Sequence, residues 1–131
     1  MSGECIGKIQ RGLLVFLGVT HSDCKDNVDY LVKKVLNLRI FKDENNKMNL
    51  SVKDINGEIL IISQFTLYGD TTSGNRPSFT EAAPPEQANE LYEYFKDKCK
   101  ESGINIESGK FGANMKVELL NDGPVTIIIE R

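Results

Sequence analysis

Short, continuous apolar runs along the chain predict buried strands. One run covers residues 13–17, and another begins at residue 58, after an Asn56-Gly57 turn, and predicts a strand over 58–68. Shorter strands are predicted at residues 39–41, 105–107, 115–120 and 125–130, the last two joined by a turn at 121–124.

Two further segments carry apolar residues at the spacing of an α-helix. The first stripe is Val28, Leu31, Val32 and Val35, and Ser22 or Asp23 can cap its helix. The second stripe is Ala88, Leu91, Tyr92, Phe95 and Cys99, in a helix that begins at Pro85 and ends before Gly103. The pattern predicts an α+β fold, in which two helices cover mostly antiparallel β layers, as a single domain over residues 1–131.

The strand predicted over 58–68 changes character at Ser63-Gln64-Phe65-Thr66, where polar side chains follow the apolar run. If the strand continues, Gln64 and Thr66 share one face and Ser63 and Phe65 the other. Such an ending is either a satisfied polar cluster or the floor of a site. A long connection, residues 69–86, follows, and connections of that length are usually functional or disordered.

Composition narrows the class of protein. No apolar run approaches the length of about 20 residues that spans a bilayer, and the N-terminus lacks a signal-peptide pattern, so a cytoplasmic protein without a membrane partner is expected. The formal charge of −3 argues against nucleic acid as a partner, although net charge does not exclude a local basic patch. A local cluster of basic residues is interpreted as a solvated face: Lys33, Lys34, Arg39, Lys42 and Lys47.

The sequence offers few of the groups that usually carry catalysis. His21 is the sole histidine, and its position at a helix start favours a capping or surface role. The three cysteines lie far apart without a CxxC pair, which indicates reduced thiols and no zinc site. No GxSxG, P-loop, GxGxxG or HExxH motif is present. An enzyme built from this sequence would therefore work with hydroxyls, amides and backbone N–H groups.

Four separated segments together form a specific signature. They are SQFTLYGD at 63–70, RPSFTEAAPP at 76–85, GKFGA at 109–113 followed by Met115, and NDGPVT at 121–126. In this order they resemble the D-aminoacyl-tRNA deacylase family, also called D-tyrosyl-tRNA(Tyr) deacylase, over nearly the whole chain. The resemblance implies a cytosolic homodimer that hydrolyses the ester joining a D-amino acid, or glycine, to the terminal adenosine of tRNA. It implies no metal and no organic cofactor.

The resemblance also implies an active site at the dimer interface. The residues carried over as catalytic are Ser63, Gln64, Phe65 and Thr66. Two groups are carried over as substrate-binding. The first group, which would face the adenosine, is Phe111, Gly112, Ala113 and Met115. The second is Gly123 and Pro124, which would form a cis peptide and enter from the other subunit. Without the resemblance, Gly123-Pro124 is interpreted as a hairpin turn.

Two mechanisms remain open from the sequence. In the favoured one, backbone N–H groups at Phe65 or Thr66 stabilise the oxyanion and the 2′-hydroxyl of the terminal ribose helps to activate water. In the other, Thr66 is a covalent nucleophile, although no histidine or lysine is identified to activate it.

One departure from the family pattern is expected to matter. Family members usually begin with a further strand that carries a Gln-Arg-Val segment, and this chain is expected to lack that strand and its arginine.

Two functions from other classes are the alternatives to a deacylase. One is a noncatalytic aminoacyl-tRNA-binding module, and the other is a structural dimerisation domain.

Overall fold

The computed structural model describes residues 4–131 and contains, over that range, two α-helices, five short strands and one 3₁₀ turn. The strands are β1 Gly12–Leu17, β2 Phe41–Lys42, β3 Met48–Leu50, β4 Glu58–Ser63 and β5 Ile106–Ser108. The helices are α1 Lys25–Asn37 and α2 Pro85–Lys100, and the 3₁₀ turn is Phe65–Tyr68. The predicted α+β class with two helices is confirmed.

The larger sheet has the order β1-β4-β5, and both of its strand pairs are parallel. Gly12 pairs with Glu58 and Leu17 with Ser63 along the first pair. The prediction of mostly antiparallel layers is wrong for this sheet. Because α1 lies between β1 and β4 and α2 between β4 and β5, each connection returns the chain to the starting end of the sheet. In residues 4–131, only the small β2–β3 pair is an antiparallel ladder.

The core lies between the two helices and the larger sheet. All five members of the predicted α2 stripe are buried, and so are Val28, Val32 and Val35 of α1. They pack in one cluster with Ile59 and Ile61 of β4. Full burial of each such side chain contributes about 1.5–3 kcal/mol, so the helical stripes and β4 hold the fold together.

The predicted helix ends need one correction. The N-cap of α1 is Cys24, neither Ser22 nor Asp23, because the Asn27 side chain accepts the Cys24 N–H at 3.0 Å. The Asp23 carboxylate instead accepts the Thr20 N–H at 2.9 Å. The predicted start of α2 at Pro85 is confirmed, and Gly103 has the positive φ, +86°, expected beyond its end.

The strand predicted over 58–68 ends early, at Ser63. Its neighbour β1 stops at Leu17, whose carbonyl accepts the Gln64 N–H at 2.8 Å, and no ladder continues past that point in the described chain. The backbone then bonds to itself, with the Gly69 N–H donating to the Thr66 carbonyl at 3.0 Å. The polar residues therefore lie at a strand-to-turn junction.

The strands predicted over 115–120 and 125–130 are also wrong for the described chain, where neither segment pairs with another strand. Residues 113–117 still alternate between half-buried and exposed positions, as an extended segment does. Without a neighbouring strand, an extended segment has no ladder to join. Large apolar side chains consequently face outward, with Leu120 93% and Ile128 84% exposed.

All three cysteines are free thiols, as expected from their spacing, and they differ sharply in environment. Cys5 and Cys24 are exposed, whereas burial in the core raises the pKa of the Cys99 thiol to about 12. Since the thiolate is the reactive form, we expect a thiol reagent at pH 8 to modify two thiols in the folded protein and the third only after unfolding. Rapid reaction of Cys99 in the folded protein, followed by peptide mass mapping, would contradict this packing.

None of the helices described over residues 4–131 is both long and apolar enough to cross a membrane.

Candidate active site

The candidate catalytic residues lie where β4 passes into the 3₁₀ turn. Ser63 ends β4 opposite Leu17, and Ser63 and Gln64 are half-buried. Phe65 and Thr66 begin the turn and are exposed. The Gln64 side-chain amide donates a hydrogen bond to the Thr66 hydroxyl. The turn therefore brings Gln64 and Thr66 together, and the expected sharing of one strand face is wrong because β4 ends at Ser63.

The same turn presents backbone donors. The Leu67 N–H donates to the Gln64 carbonyl, which makes it the first N–H bonded within the turn. The N–H groups of Phe65 and Thr66 precede it and have no acceptor inside the turn. Donors of this kind can bind a developing oxyanion at an exposed edge of the protein.

An aromatic pair borders this turn. The rings of Phe65 and Phe79 lie edge to face with centroids 5.0 Å apart, and both side chains are partly exposed. Phe79 is held in place because Asp70 and Ser78 exchange two backbone hydrogen bonds, of 2.7 and 2.8 Å. The long connection after the turn is therefore anchored to the candidate site.

Two pKa shifts occur beside the turn. Hydrogen bonds from the Thr72 N–H and hydroxyl lower the pKa of the Asp70 carboxyl. Burial raises the pKa of Tyr68, and the negative charges of Asp23 and Glu130 add to this effect. Asp70 is therefore ionised and Tyr68 neutral at physiological pH, and neither is poised near neutrality as a general base.

The residues expected to face the adenosine follow β5. The half-buried Phe111 ring lies 6.0 Å from the ring of Tyr92. Gly112 has φ +75°, a left-handed conformation in which a side chain is strained. Ala113 and Met115 are half-buried, and a Cβ on Gly109 would lie only 2.5 Å from the Met115 sulfur.

Tyr92 links this second group of residues to the first. Its hydroxyl lies 3.0 Å from the Ile61 carbonyl oxygen and 3.1 Å from that of Gly109. Ile61 is two residues before Ser63, and Gly109 is two residues before Phe111. The sequence pattern identified Tyr92 only as a core residue, since a helical stripe does not show which groups its hydroxyl will contact.

The Gly123-Pro124 peptide is cis, in agreement with the family resemblance. Its loop is closed by Asn121, whose carboxamide accepts the Val125 N–H at 3.0 Å and donates to the Thr126 hydroxyl at 3.0 Å. Across residues 4–131, no hydrogen bond or ring contact joins Gly123 or Pro124 to residues 63–66.

His21 is engaged elsewhere. Its Nε2 lies 2.7 Å from the Thr80 carbonyl oxygen, and Gln87 donates to the His21 carbonyl. In the part of the chain that is described, residues 63–66 have no hydrogen bond to a histidine, lysine, cysteine or carboxylate side chain, and no group of three or more metal-ligating side chains converges. The groups described at residues 63–66 are hydroxyls, an amide and backbone N–H groups.

Comparison with known proteins identifies the family to which this chain belongs. The family model described as D-Tyr-tRNA(Tyr) deacylase matches residues 1–130, and the chain belongs to this family. A D-aminoacyl-tRNA deacylase of Clostridioides difficile (strain 630) is 60% identical over 125 residues, covering 95% of this chain and 84% of that protein. One of Thermosipho africanus (strain TCF52B) is 56% identical over 130 residues, covering 99% and 87%. Proteins so named are hydrolases, and the expected family and enzyme class are confirmed.

Two solved structures share the fold. A protein titled c-Myc DNA Unwinding Element Binding Protein has a TM-score of 0.84 at 44% identity, covering 91% of this chain and 81% of that one. A structure titled as a probable eukaryotic D-amino acid tRNA deacylase has a TM-score of 0.67 at 19% identity, covering 81% and 77%. The second likeness supports the α+β fold alone.

Proposed function

We propose that this chain hydrolyses the ester bond of D-aminoacyl-tRNA, and of glycyl-tRNA, and so removes mischarged amino acids in the cytoplasm before translation uses them. The observation that carries the proposal is the junction at residues 63–66, where the N–H groups of Phe65 and Thr66 have no acceptor inside the turn and lie beside a serine, an amide and a threonine. We infer the substrate of this site from the chain's membership of the deacylase family.

Oxyanion stabilisation is the role we assign to the turn. The N–H groups of Phe65 and Thr66 donate to the oxygen that becomes negative when water attacks the ester. Ser63 and Gln64 orient the ester and the water. Removal of one such donor in other hydrolases costs about 10²–10³ in kcat, so a pair of donors supplies a substantial part of the acceleration.

The water is activated by the substrate in this proposal. Residues 63–66 have no hydrogen-bonded imidazole or carboxylate within the described chain, so the protein offers no evident base there. The 2′-hydroxyl of the terminal ribose is adjacent to the reacting ester and can take part in proton transfer. The protein then contributes positioning, which can be worth about 7–11 kcal/mol of the barrier.

A homodimer completes the site. We assign Gly123 and Pro124 to the pocket of the partner subunit, with the outward-facing apolar residues around their loop forming the interface. These residues are Leu119, Leu120, Ile127 and Ile128, all more than half exposed in the single chain. A two-fold dimer uses the same patch on both subunits, so each subunit would give its loop to the other.

Chiral selection follows from this arrangement as steric exclusion. An L-residue would drive its side chain into the Gly123-Pro124 wall, whereas a D-residue would direct its side chain toward solvent. A thousandfold preference requires only about 4 kcal/mol, which a modest steric overlap supplies. Glycine has no side chain to exclude, and for that reason we include glycyl-tRNA among the substrates. The adenosine would lie against Phe111, Gly112, Ala113 and Met115.

A noncatalytic nucleic-acid-binding module is the second candidate, because the solved relative at 44% identity is titled as a DNA-element-binding protein. The two functions are separated by incubating the purified protein with D-tyrosyl-tRNA and measuring free D-tyrosine. Release of D-tyrosine with multiple turnovers supports the deacylase. Saturable binding of the tRNA without release supports the module, or a dimerisation domain that carries no chemistry.

Thr66→Ala is expected to retain a substantial part of the activity, because the hydroxyl lines the pocket and does not attack the ester. The measurement is single-turnover hydrolysis of D-tyrosyl-tRNA, with Thr66→Ser as the matched variant that keeps the hydroxyl. A loss of more than about a thousandfold in kcat, or an acyl-enzyme trapped on Thr66 of the unmodified protein, would establish covalent catalysis instead.

A further inference from the structure

A cleft of 440 Å³ opens between α2 and the segment that follows β5. Lys96 and Glu93 of α2 form one side of the cleft, and Ser108, Lys110 and Phe111 form the other. Phe111 thus belongs both to this cleft and to the group of residues proposed to face the terminal adenosine.

The charges in the cleft favour an anion. Lys96 and Lys110 contribute two positive charges and Glu93 one negative charge, which leaves the lining at +1 in a chain whose formal charge is −3. Glu93 is already paired, since its carboxylate lies 3.1 Å from the Lys96 ammonium. Lys110 is exposed and forms no ion pair in the part of the chain that is described.

The cleft is also organised before any ligand arrives. The Lys96 side chain is only 14% exposed, and its ammonium lies 5.1 Å from the centre of the Tyr92 ring. Tyr92 is in turn 6.0 Å from the ring of Phe111, and its hydroxyl lies 3.0 Å from the Ile61 carbonyl oxygen of β4 and 3.1 Å from the Gly109 carbonyl oxygen just after β5. Tyr92 itself is buried, so the cleft presents the half-buried Phe111 ring together with the paired Lys96 and the exposed Lys110. Single-stranded nucleic acid is typically bound by this combination, in which aromatic rings stack on bases and cations follow the phosphates.

We propose that this cleft binds the phosphodiester backbone of the nucleotides immediately before the terminal adenosine of the tRNA. Lys110 contacts a phosphate directly, and Lys96, held by Glu93 and Tyr92, contributes to the positive field. The inference rests on the proposed function, because it takes its ligand from the aminoacyl-tRNA substrate. It assigns the cleft to substrate binding and not to the chemical step.

The test is an NMR titration of the ¹⁵N-labelled protein with the trinucleotide CCA and, separately, with adenosine. In the unmodified protein, CCA is expected to bind about fivefold more tightly than adenosine at 50 mM salt, the size of one partly exposed ion pair. The largest additional shifts should fall on the amides of Ser108 to Phe111. Because each neutralised phosphate of a single strand contributes about 0.7 to the slope of log affinity against log salt, Lys110→Ala should lower that slope by about 0.7.

Lys100→Ala is the matched control, because Lys100 is an exposed lysine of α2 that does not line the cleft. This variant should keep the fivefold preference for CCA. An equal affinity of the unmodified protein for CCA and adenosine, or an unchanged preference in Lys110→Ala, would overturn the inference. Binding is measured without turnover, so failure to release D-tyrosine would reject the proposed function separately.

Discussion

Replacing the terminal ribose 2′-hydroxyl of D-tyrosyl-tRNA by hydrogen is expected to slow enzymatic hydrolysis at least about a hundredfold. A positioned proton-transfer group typically contributes about 10²–10⁴ to a rate, and in this account the 2′-hydroxyl is that group. The structure motivates the expectation because His21 is bonded to the Thr80 carbonyl and the turn at residues 63–66 has no bonded base in the described chain. The measurement is single-turnover hydrolysis of the 3′-linked ester with saturating enzyme.

Two controls make this experiment decisive. The uncatalysed hydrolysis of both esters is measured in the same buffer, since the 2′-hydroxyl also affects the ester's own reactivity. The affinity of the protein for the deoxy substrate is measured as well, so that a binding defect is not counted as a chemical one. An enzymatic rate that remains unchanged without the 2′-hydroxyl would exclude substrate assistance.

The double variant Leu120→Asp, Ile128→Asp is expected to be monomeric and to lose activity by about a hundredfold or more. Both side chains are more than 80% exposed in the single chain, so the fold of each subunit should persist. In the proposed dimer they are buried, and burying an unpaired carboxylate is strongly unfavourable. A combined penalty of about 4 kcal/mol would raise the dissociation constant of the dimer about a thousandfold.

Sedimentation equilibrium measures the oligomeric state of this variant, and hydrolysis of D-tyrosyl-tRNA measures its activity. The matched control is Leu120→Met with Ile128→Val, which keeps the patch apolar and should remain dimeric and active. Circular dichroism and the melting temperature establish that both variants are folded. A monomeric double-aspartate variant with full chirally selective activity would show that Gly123 and Pro124 do not act across an interface.

The sequence predicted those parts of the fold that depend on local patterns. The predictions of the α2 stripe and of its start at Pro85 were correct, because helical spacing and the fixed φ of proline act within a few residues. Strand partners were harder to predict from the sequence, since the parallel pairing of β1 with β4 depends on the position of a segment far away in the chain. The change of direction at Ser63 was missed for the same reason, because it occurs where β1 ends.

The candidate site likewise has parts that local sequence patterns predicted and parts that they did not. Residues 63–66 stood out because polar side chains followed an apolar run, and the structure brings Gln64 and Thr66 together. The segments on either side of Gly123-Pro124 have the strand pattern but no ladder in the described chain. A pattern records what a segment can form, whereas a ladder also requires a neighbouring strand. The link through the Tyr92 hydroxyl had no sequence signal beyond the helical stripe.

The most direct test of the central claim is the ratio of hydrolysis rates for D-tyrosyl-tRNA and L-tyrosyl-tRNA, measured as kcat/KM with the same tRNA. We expect a ratio of about a thousand in favour of the D-ester, with glycyl-tRNA also cleaved because it offers no side chain for exclusion. Equal rates for the two tyrosyl esters, or binding of both without release of tyrosine, would contradict it.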